Sequence, residues 1–306
     1  MKGHRSYGGV WGGQYATYHH NLVANQNSRA VRFNGGRAHD TVALIDYRNN
    51  VIYNWGNLNA AYGGEVNIPG GRSEVNLVNN YYKPGPITPK DKPIAYRILK
   101  PEAGRDSANK SNFGKAYVNG NIVEGFDKVS ADNWAGGVQI GDNNGGAGSY
   151  EAAIRVDKPM PMASITMLSA KEAYDYVLNN AGANLPKRDA VDERILKTVK
   201  TGKISYTEGG RTGIGKQFIK RRLPEDSYKQ GIITHPSQVG GYPEYKGTPY
   251  KDGDNDGLPD EYEVKIGLNA KDASDAAKIG KNGYSNIEIY LNSVVNEKNV
   301  APIAKK

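Results

Sequence analysis

The sequence predicts an all-β chain wound into stacked parallel coils, and three observations lead there. Glycine is abundant at 38 of 306 residues, and Tyr at 21 far outnumbers Phe at 4. With short apolar runs between Gly and Asn, this composition favours short strands joined by tight turns. A weak repeat supports stacking. Asn21-Leu22-Val23, Asn50-Val51-Ile52, Asn80-Tyr81-Tyr82 and Asn121-Ile122-Val123 each place an asparagine before two bulky β-formers, at spacings of 29, 30 and 41 residues. Such periods suit coils whose loops vary in length, and an Asn at each turn can ladder its amide along the stack. Finally, these runs lie further apart than hairpin partners, with few Asn-Gly or Asp-Gly turns between them. An antiparallel sandwich is the alternative.

Taken in order, the chain divides into four. Residues 1–165 carry the short strands. Residues 166–205 read as helical: Ser169 with Glu172 forms a capping box, Gly182 can end that helix, and Asp189 can cap a second through VDERILKTV. Residues 206–250 are rich in Gly, Pro and Tyr and read as a linker. Residues 251–306 hold an acidic loop and an amphipathic end, SNIEIYLNSVV.

Charge narrows the partner. The net charge is +8 and the pI about 9.2, which favours an anionic ligand. Cysteine is absent, which excludes disulfides and thiolate metal sites. No apolar run is long enough to span a membrane, so no membrane span is expected. No signal-peptide core is present either. Met1 leads straight into KGHRSYGGVWGG, which reads as the middle of a domain, so further sequence is expected upstream. KRDAVDERILK and QFIKRRLPED read as solvated surface rather than nucleic-acid contacts, and GDNNGGAG at 141–148 lacks the Lys-Ser/Thr of a phosphate loop.

Two stretches carry candidate chemistry. HHNLVANQNSRAVRF gathers Arg29 and Arg32, with Arg37 close behind. The bland alternative is a solvated basic turn. Planar guanidinium groups suit bidentate binding of carboxylates. His19 and His20, as strand neighbours, should face opposite sides and form no joint metal site. The second stretch is DGDNDGLPDEYE. Asp252, Asp254 and Asp256 fall at loop positions 1, 3 and 5, Gly257 at 6, Leu258 at 7, Asp260 at 9 and Glu263 at 12. That is the oxygen-ligand spacing of an EF-hand loop, so a structural Ca²⁺ site is expected with Asp252, Asp254, Asp256, Leu258, Asp260 and Glu263 as ligands.

YGGVWGG, ATYHHNLVANQNSRAVRF and VNNYYKPGP together resemble the C-terminal half of family 1 pectate lyases, over about residues 4–160. NNYYKPGP and LPKRDAVDERI resemble secreted bacterial members, and the DGLPD loop resembles thrombospondin type 3 and dockerin-like tails of secreted proteins. One departure stands out: where the family has Pro between two arginines, this chain has Ala30-Val31. The resemblance implies a partial right-handed parallel β-helix, with a short helical segment and a small calcium-loop tail. It implies a secreted or periplasmic monomer that binds polygalacturonate or another acidic polysaccharide. It implies cleavage by β-elimination, with Arg29 as catalytic base and Arg32 and Arg37 as substrate-binding residues. The chemistry accounts for the cations. Removing a proton α to a carboxylate builds charge on that carboxylate, which guanidinium groups or metal ions offset. Arginine is a scarce base, since its neutral fraction near pH 8 is roughly 10⁻⁴ or less. The family's calcium ligands are acidic residues upstream of the HHN segment. Here the 18 residues before His19 include no Asp or Glu, so those ligands are expected on the upstream sequence. Two other readings stay open: an acidic-polysaccharide binding module, and a β-helix adhesin in which Arg29 is only a turn residue.

Overall fold

The strands pair as the repeat predicts. A computed structural model describes residues 5–37, 40–56, 59–104, 112–141, 146–182, 184, 187–210, 223–245, 247–280 and 283–299. The first coil holds β1 (Tyr7–Trp11), β2 (Gln14–His19) and β3 (Leu22–Ala24). The second holds β4 (Ser28–Phe33), β5 (Val42–Arg48) and β6 (Val51–Tyr53). β7 (Asn59–Gly63), β8 (Arg72–Val78) and β9 (Tyr81–Lys83) make the third. β10 (Lys100–Pro101), β11 (Lys115–Asn119) and β12 (Ile122–Val123) make the fourth. Like strands stack into three parallel four-stranded sheets, β1-β4-β7-β10, β2-β5-β8-β11 and β3-β6-β9-β12. This is a parallel β-helix, not a sandwich.

Register puts like residues above one another. In the second sheet Ile45, Val75 and Ala116 align in one row, and Tyr47, Leu77 and Val118 in the next. All six are buried. The rows face the interior, where Phe33, Trp55 and Tyr82 join them. Burial of apolar area at about 25 cal/mol per Å² is what holds such a stack together.

The asparagine repeat has the predicted function in full. Asn21 Nδ2 donates to Asn50 Oδ1 at 2.8 Å, Asn50 to Asn80 at 3.0 Å, Asn80 to Asn121 at 2.8 Å and Asn121 to Asn133 at 2.9 Å. Each acceptor oxygen also takes the backbone N–H of the asparagine before it. The residue ahead of each ladder asparagine is left-handed: His20, Asn49, Asn79 and Gly120 have φ of 55°, 52°, 52° and 69°. Asn and Gly tolerate that conformation best. The two ends of the ladder differ. Asn133, after helix α1 (Asp127–Ala131), closes one end by donating to the carbonyls of Asn121 and Val129. Asn21 leaves the other half-exposed.

A short helix α2 (Glu151–Ile154) precedes two longer ones, α3 (Ala170–Asn180) and α4 (Ala190–Thr201). The Ser169–Glu172 capping box is present, and α4 begins one residue past Asp189. Val177, Leu178, Leu196 and Val199 bury a third-sheet patch at Val51 and Tyr53, so α3 and α4 cover that face. Two histidines depart from the sequence expectation. His20 is a left-handed turn residue rather than a strand residue, which swings its ring to 4.9 Å from that of His19, with Nδ1 to Nδ1 at 2.7 Å.

The chain forms two compact units, residues 1–182 with 190–242, and residues 183–189 with 243–306. Much of the span read as a linker therefore belongs to the first unit. Asn54 Nδ2 donates to the Gln230 carbonyl at 2.7 Å, and Tyr206 packs on Tyr228 at 5.7 Å between ring centres. Residues 211–222, which include the first six of QFIKRRLPED, and residues 142–145 of GDNNGGAG lie outside the described residues. Among the described residues no helix is long and apolar enough to cross a membrane.

Candidate functional site

The three arginines lie on or beside the first sheet, and their environments differ. β4 carries one extra residue against both neighbours. Ser28 pairs with Asn59 and Val31 with Ala61, while on the other side Tyr7 pairs with Ser28 and Gly9 with Val31. The surplus falls at Arg29-Ala30, a β-bulge, which re-aims a side chain out of the ladder. Arg29 is left-handed there, at φ 56°. A branched-out backbone of that kind costs a non-glycine residue free energy and is concentrated at functional sites. Gly8 permits it, because a Cβ on Gly8 would lie 1.9 Å from the Arg29 carbonyl oxygen.

The bulge leaves the Arg29 guanidinium half-buried, over the Tyr7 ring at 4.9 Å. Its Nε–H donates to the Tyr62 hydroxyl at 2.8 Å. Among the described residues it has no carboxylate partner. Arg5 approaches the same Tyr7 ring at 5.8 Å.

Arg32, expected to grip substrate, is instead only 4% exposed and ion-paired with Glu65, which is fully buried. Glu102 stands 3.9 Å away, and the Tyr62 ring lies 5.5 Å from the Arg32 guanidinium. Arg37 Nη2 donates to the same Glu65 oxygen at 2.9 Å, with its side chain 42% exposed. Two guanidinium groups thus share one buried carboxylate, the arrangement that makes a buried charge tolerable. Arg32 is thus enclosed in an ion pair, Arg37 keeps an exposed edge, and Arg29 has no carboxylate partner among the described residues. Sequence spacing groups the arginines but cannot find Tyr62 or Glu65, which arrive from the next coil.

A second cluster lies in the C-terminal unit. Glu263, in α5 (Asp260–Ile266), is fully buried, and Asp275 is 3% exposed. Asp252, Asp254 and Asp256 gather within 4.8 Å of one another, as do Asp256, Glu263 and Asp275. Burial, followed by Asp254 and Asp256, pushes the Glu263 carboxyl up to about 7. Burial and Asp256 also raise Asp254. Among the described residues these are the two groupings able to hold a metal. Asp260 lies outside both. Its Oδ1 accepts from Gly253 N–H at 2.6 Å, and Oδ2 pairs with Lys251 at 2.9 Å. Those contacts hold its carboxyl below the usual range. The Leu258 side chain is fully buried, and its N–H donates to Asp256 Oδ1 at 2.8 Å. Asp275 falls outside the loop motif, so spacing alone does not bring it into this cluster. No grouping of three carboxylates lies beside Arg29 among the described residues, so that site does not fit a bound metal by itself.

Comparison with known proteins gives a consistent likeness. No family model matches the chain. It is 29% identical to "Probable pectate lyase C" of Aspergillus fumigatus over 253 residues, which is 82% of this chain and 48% of that protein. It is 27% identical to the protein of that name from Neosartorya fischeri over 250 residues, and 26% identical to that of Aspergillus terreus over 251, with the same coverage. These relatives are fungal, whereas the sequence motifs pointed to bacterial members. The chain spans about half the length of the curated relatives it matches. These relatives support a pectate lyase family for the chain.

Proposed function

We propose that the chain carries the catalytic arginine of a pectate lyase acting on polygalacturonate. The observation that carries this reading is Arg29, set on a bulge in a left-handed backbone, stacked on Tyr7 and without a carboxylate partner among the described residues. A neutral Arg29 takes the proton from C5 of a galacturonate. The C–H electron pair forms the C4–C5 double bond, and the C4–O pair leaves with the glycosidic oxygen, which gains a proton from water. Tyr62 fixes the Arg29 side chain through its hydroxyl, and a pre-set base of this kind contributes about 10²–10⁴-fold in rate. Arg37, with its exposed edge, offers the substrate carboxylate a second cation, and Arg32 with Glu65 keeps the floor rigid. No step is assigned to a metal here, since the residues around Arg29 do not fit one. Right-handed winding of the coils is part of this reading and follows the general preference of parallel crossovers.

The acidic loop from Asp252 to Glu263 is proposed to bind Ca²⁺ as a structural ion, since its carboxylates are hard oxygen donors at alternate residues. Export and action as a monomer complete the proposal. Incubation with polygalacturonate tests it: the C4–C5 unsaturated product absorbs in the ultraviolet, and its appearance is the expected result. A non-catalytic binder of acidic polysaccharide is the alternative outcome of the same test. Pull-down on insoluble pectate without any unsaturated product would select it.

A further inference from the structure

The calcium reading rests on a twelve-residue loop, yet the buried unpartnered carboxylate oxygens extend beyond it to Asp275. Six carboxylate oxygens in this unit are buried without a hydrogen-bond partner: both of Asp254, one of Asp256, both of Glu263 and one of Asp275. A buried carboxylate oxygen left bare is costly, and two groupings that share Asp256, each with ligand atoms within 4.8 Å of one another, offer the hard oxygen donors that Ca²⁺ takes. Asp252 is spoken for in part, because its oxygens accept the N–H groups of Asp256 and Gly257 at 3.2 and 3.0 Å. Asp260, the ninth loop residue, faces Lys251 and Gly253 instead.

Asp275 arrives from a separate turn. Its Oδ2 accepts the Asn269 N–H at 3.0 Å, Oδ1 is buried without a partner, and the carboxylate lies within 4.8 Å of those of Asp256 and Glu263. The same residue reaches the last helix, α6 (Asn286–Asn299): its carbonyl accepts from Asn286 Nδ2 at 2.8 Å, and Ile287 N–H donates to Ala276 at 3.0 Å.

Deepening the calcium reading, on which this step rests, we propose that the site spans two segments, with Asp275 taking the ligand place that Asp260 leaves. The ion then joins the loop, the N-terminal turn of α5 and the turn that starts α6. This part of the chain contains no disulfide, since the protein has no cysteine, so the ion is its cross-link.

The test is calcium titration by calorimetry on the full chain, with thermal melts in chelator and in calcium. Asp275→Asn keeps an oxygen for the Asn269 N–H and turns an NH₂ toward the ion. It should weaken calcium binding roughly tenfold or more, as loss of a charged ligand does, and cancel most of the calcium gain in Tm. In chelator it should melt no lower than wild type, because one repelling charge is gone; this separates ligation from a merely structural role. Asp260→Asn should change calcium affinity by less than about threefold on the same ligand-count argument. If Asp275→Asn binds calcium like wild type while Glu263→Gln does not, Asp275 is no ligand and the loop reading alone survives. If wild type itself takes up no calcium, both fall.

Discussion

Replacing Asn80 by alanine removes the central rung of the amide ladder. Asn80 is fully buried. Its Nδ2 donates to Asn121 Oδ1 and to the Tyr47 carbonyl, and its Oδ1 accepts Asn50 N–H and Nδ2. Some partners are left with alternatives: Asn50 Nδ2 keeps the Tyr18 carbonyl, and Asn121 Oδ1 keeps the Asn80 N–H. The Asn50 N–H keeps no acceptor among the described residues. An orphaned buried donor costs about 2 kcal/mol, and the two donor bonds of Asn80 add about 1 kcal/mol each, for about 4 kcal/mol in all. Asn21 gives the control. It is half-exposed, water can replace its bonds, and Asn50 Oδ1 keeps the Asn21 N–H, so Asn21→Ala should cost about 1 kcal/mol or less. Urea unfolding measures both, read as a shift in midpoint at constant slope. Equal losses for the two variants would show that the ladder is not an energetic element of the stack.

Further expectations follow from the first sheet and its turn. Gly8→Ala drives a Cβ into the Arg29 carbonyl, so it should lower kcat on polygalacturonate more than it raises KM, with the circular dichroism of the fold retained; an unchanged kcat would count against the bulge as the positioning device. Glu65→Gln leaves Arg32 buried without its carboxylate and should destabilise by about 3–5 kcal/mol, read in the same urea experiment; a neutral result would show that the buried pair is dispensable. Burial, with the nearby His19, pushes His20 down from 6.5 to about 4. The folded state therefore disfavours its protonation, and the stability this residue contributes is present above pH 6.5 and lost as the pH falls toward about 4. His20→Asn, which suits the left-handed turn as Asn49 and Asn79 do, should flatten stability across that window.

The third sheet was legible because its turns demand one residue type. Each ladder asparagine must present an amide to the coil above and below, so the requirement is written locally, once per coil, and survives loops of different length. The capping box of α3 was legible for the same reason. The first sheet was not: its turns have no repeated residue, and the contacts that matter join Arg29 to Tyr62 and Arg32 to Glu65, 33 positions apart in both cases. Spacing marked Arg32 as a substrate ligand. Only the register, which stacks Val10, Arg32 and Tyr62 in one row, and the return of Glu65 over that row explain its burial. In the acidic loop, alternate carboxylates suggest the chemistry, but spacing says nothing of how each carboxylate is partnered. An EF-hand pattern assumes one continuous segment, and here Lys251, directly before the carboxylate-rich run, pairs with Asp260, while Asp275, beside Asp256 and Glu263, comes from beyond α5.

The Arg29 assignment meets its most direct test in the steady-state kinetics of Arg29→Lys on polygalacturonate, followed by ultraviolet absorbance of the unsaturated product. Lysine keeps the positive charge but loses the planar fork and the reach set by Tyr7 and Tyr62. If Arg29 abstracts the C5 proton, kcat should fall by roughly a hundredfold or more while KM changes little, the pattern of an interaction made in the transition state. Activity of wild type should also rise toward alkaline pH, where more of an arginine base is neutral. A lysine variant turning over at close to the wild-type rate would contradict the assignment and place the base elsewhere.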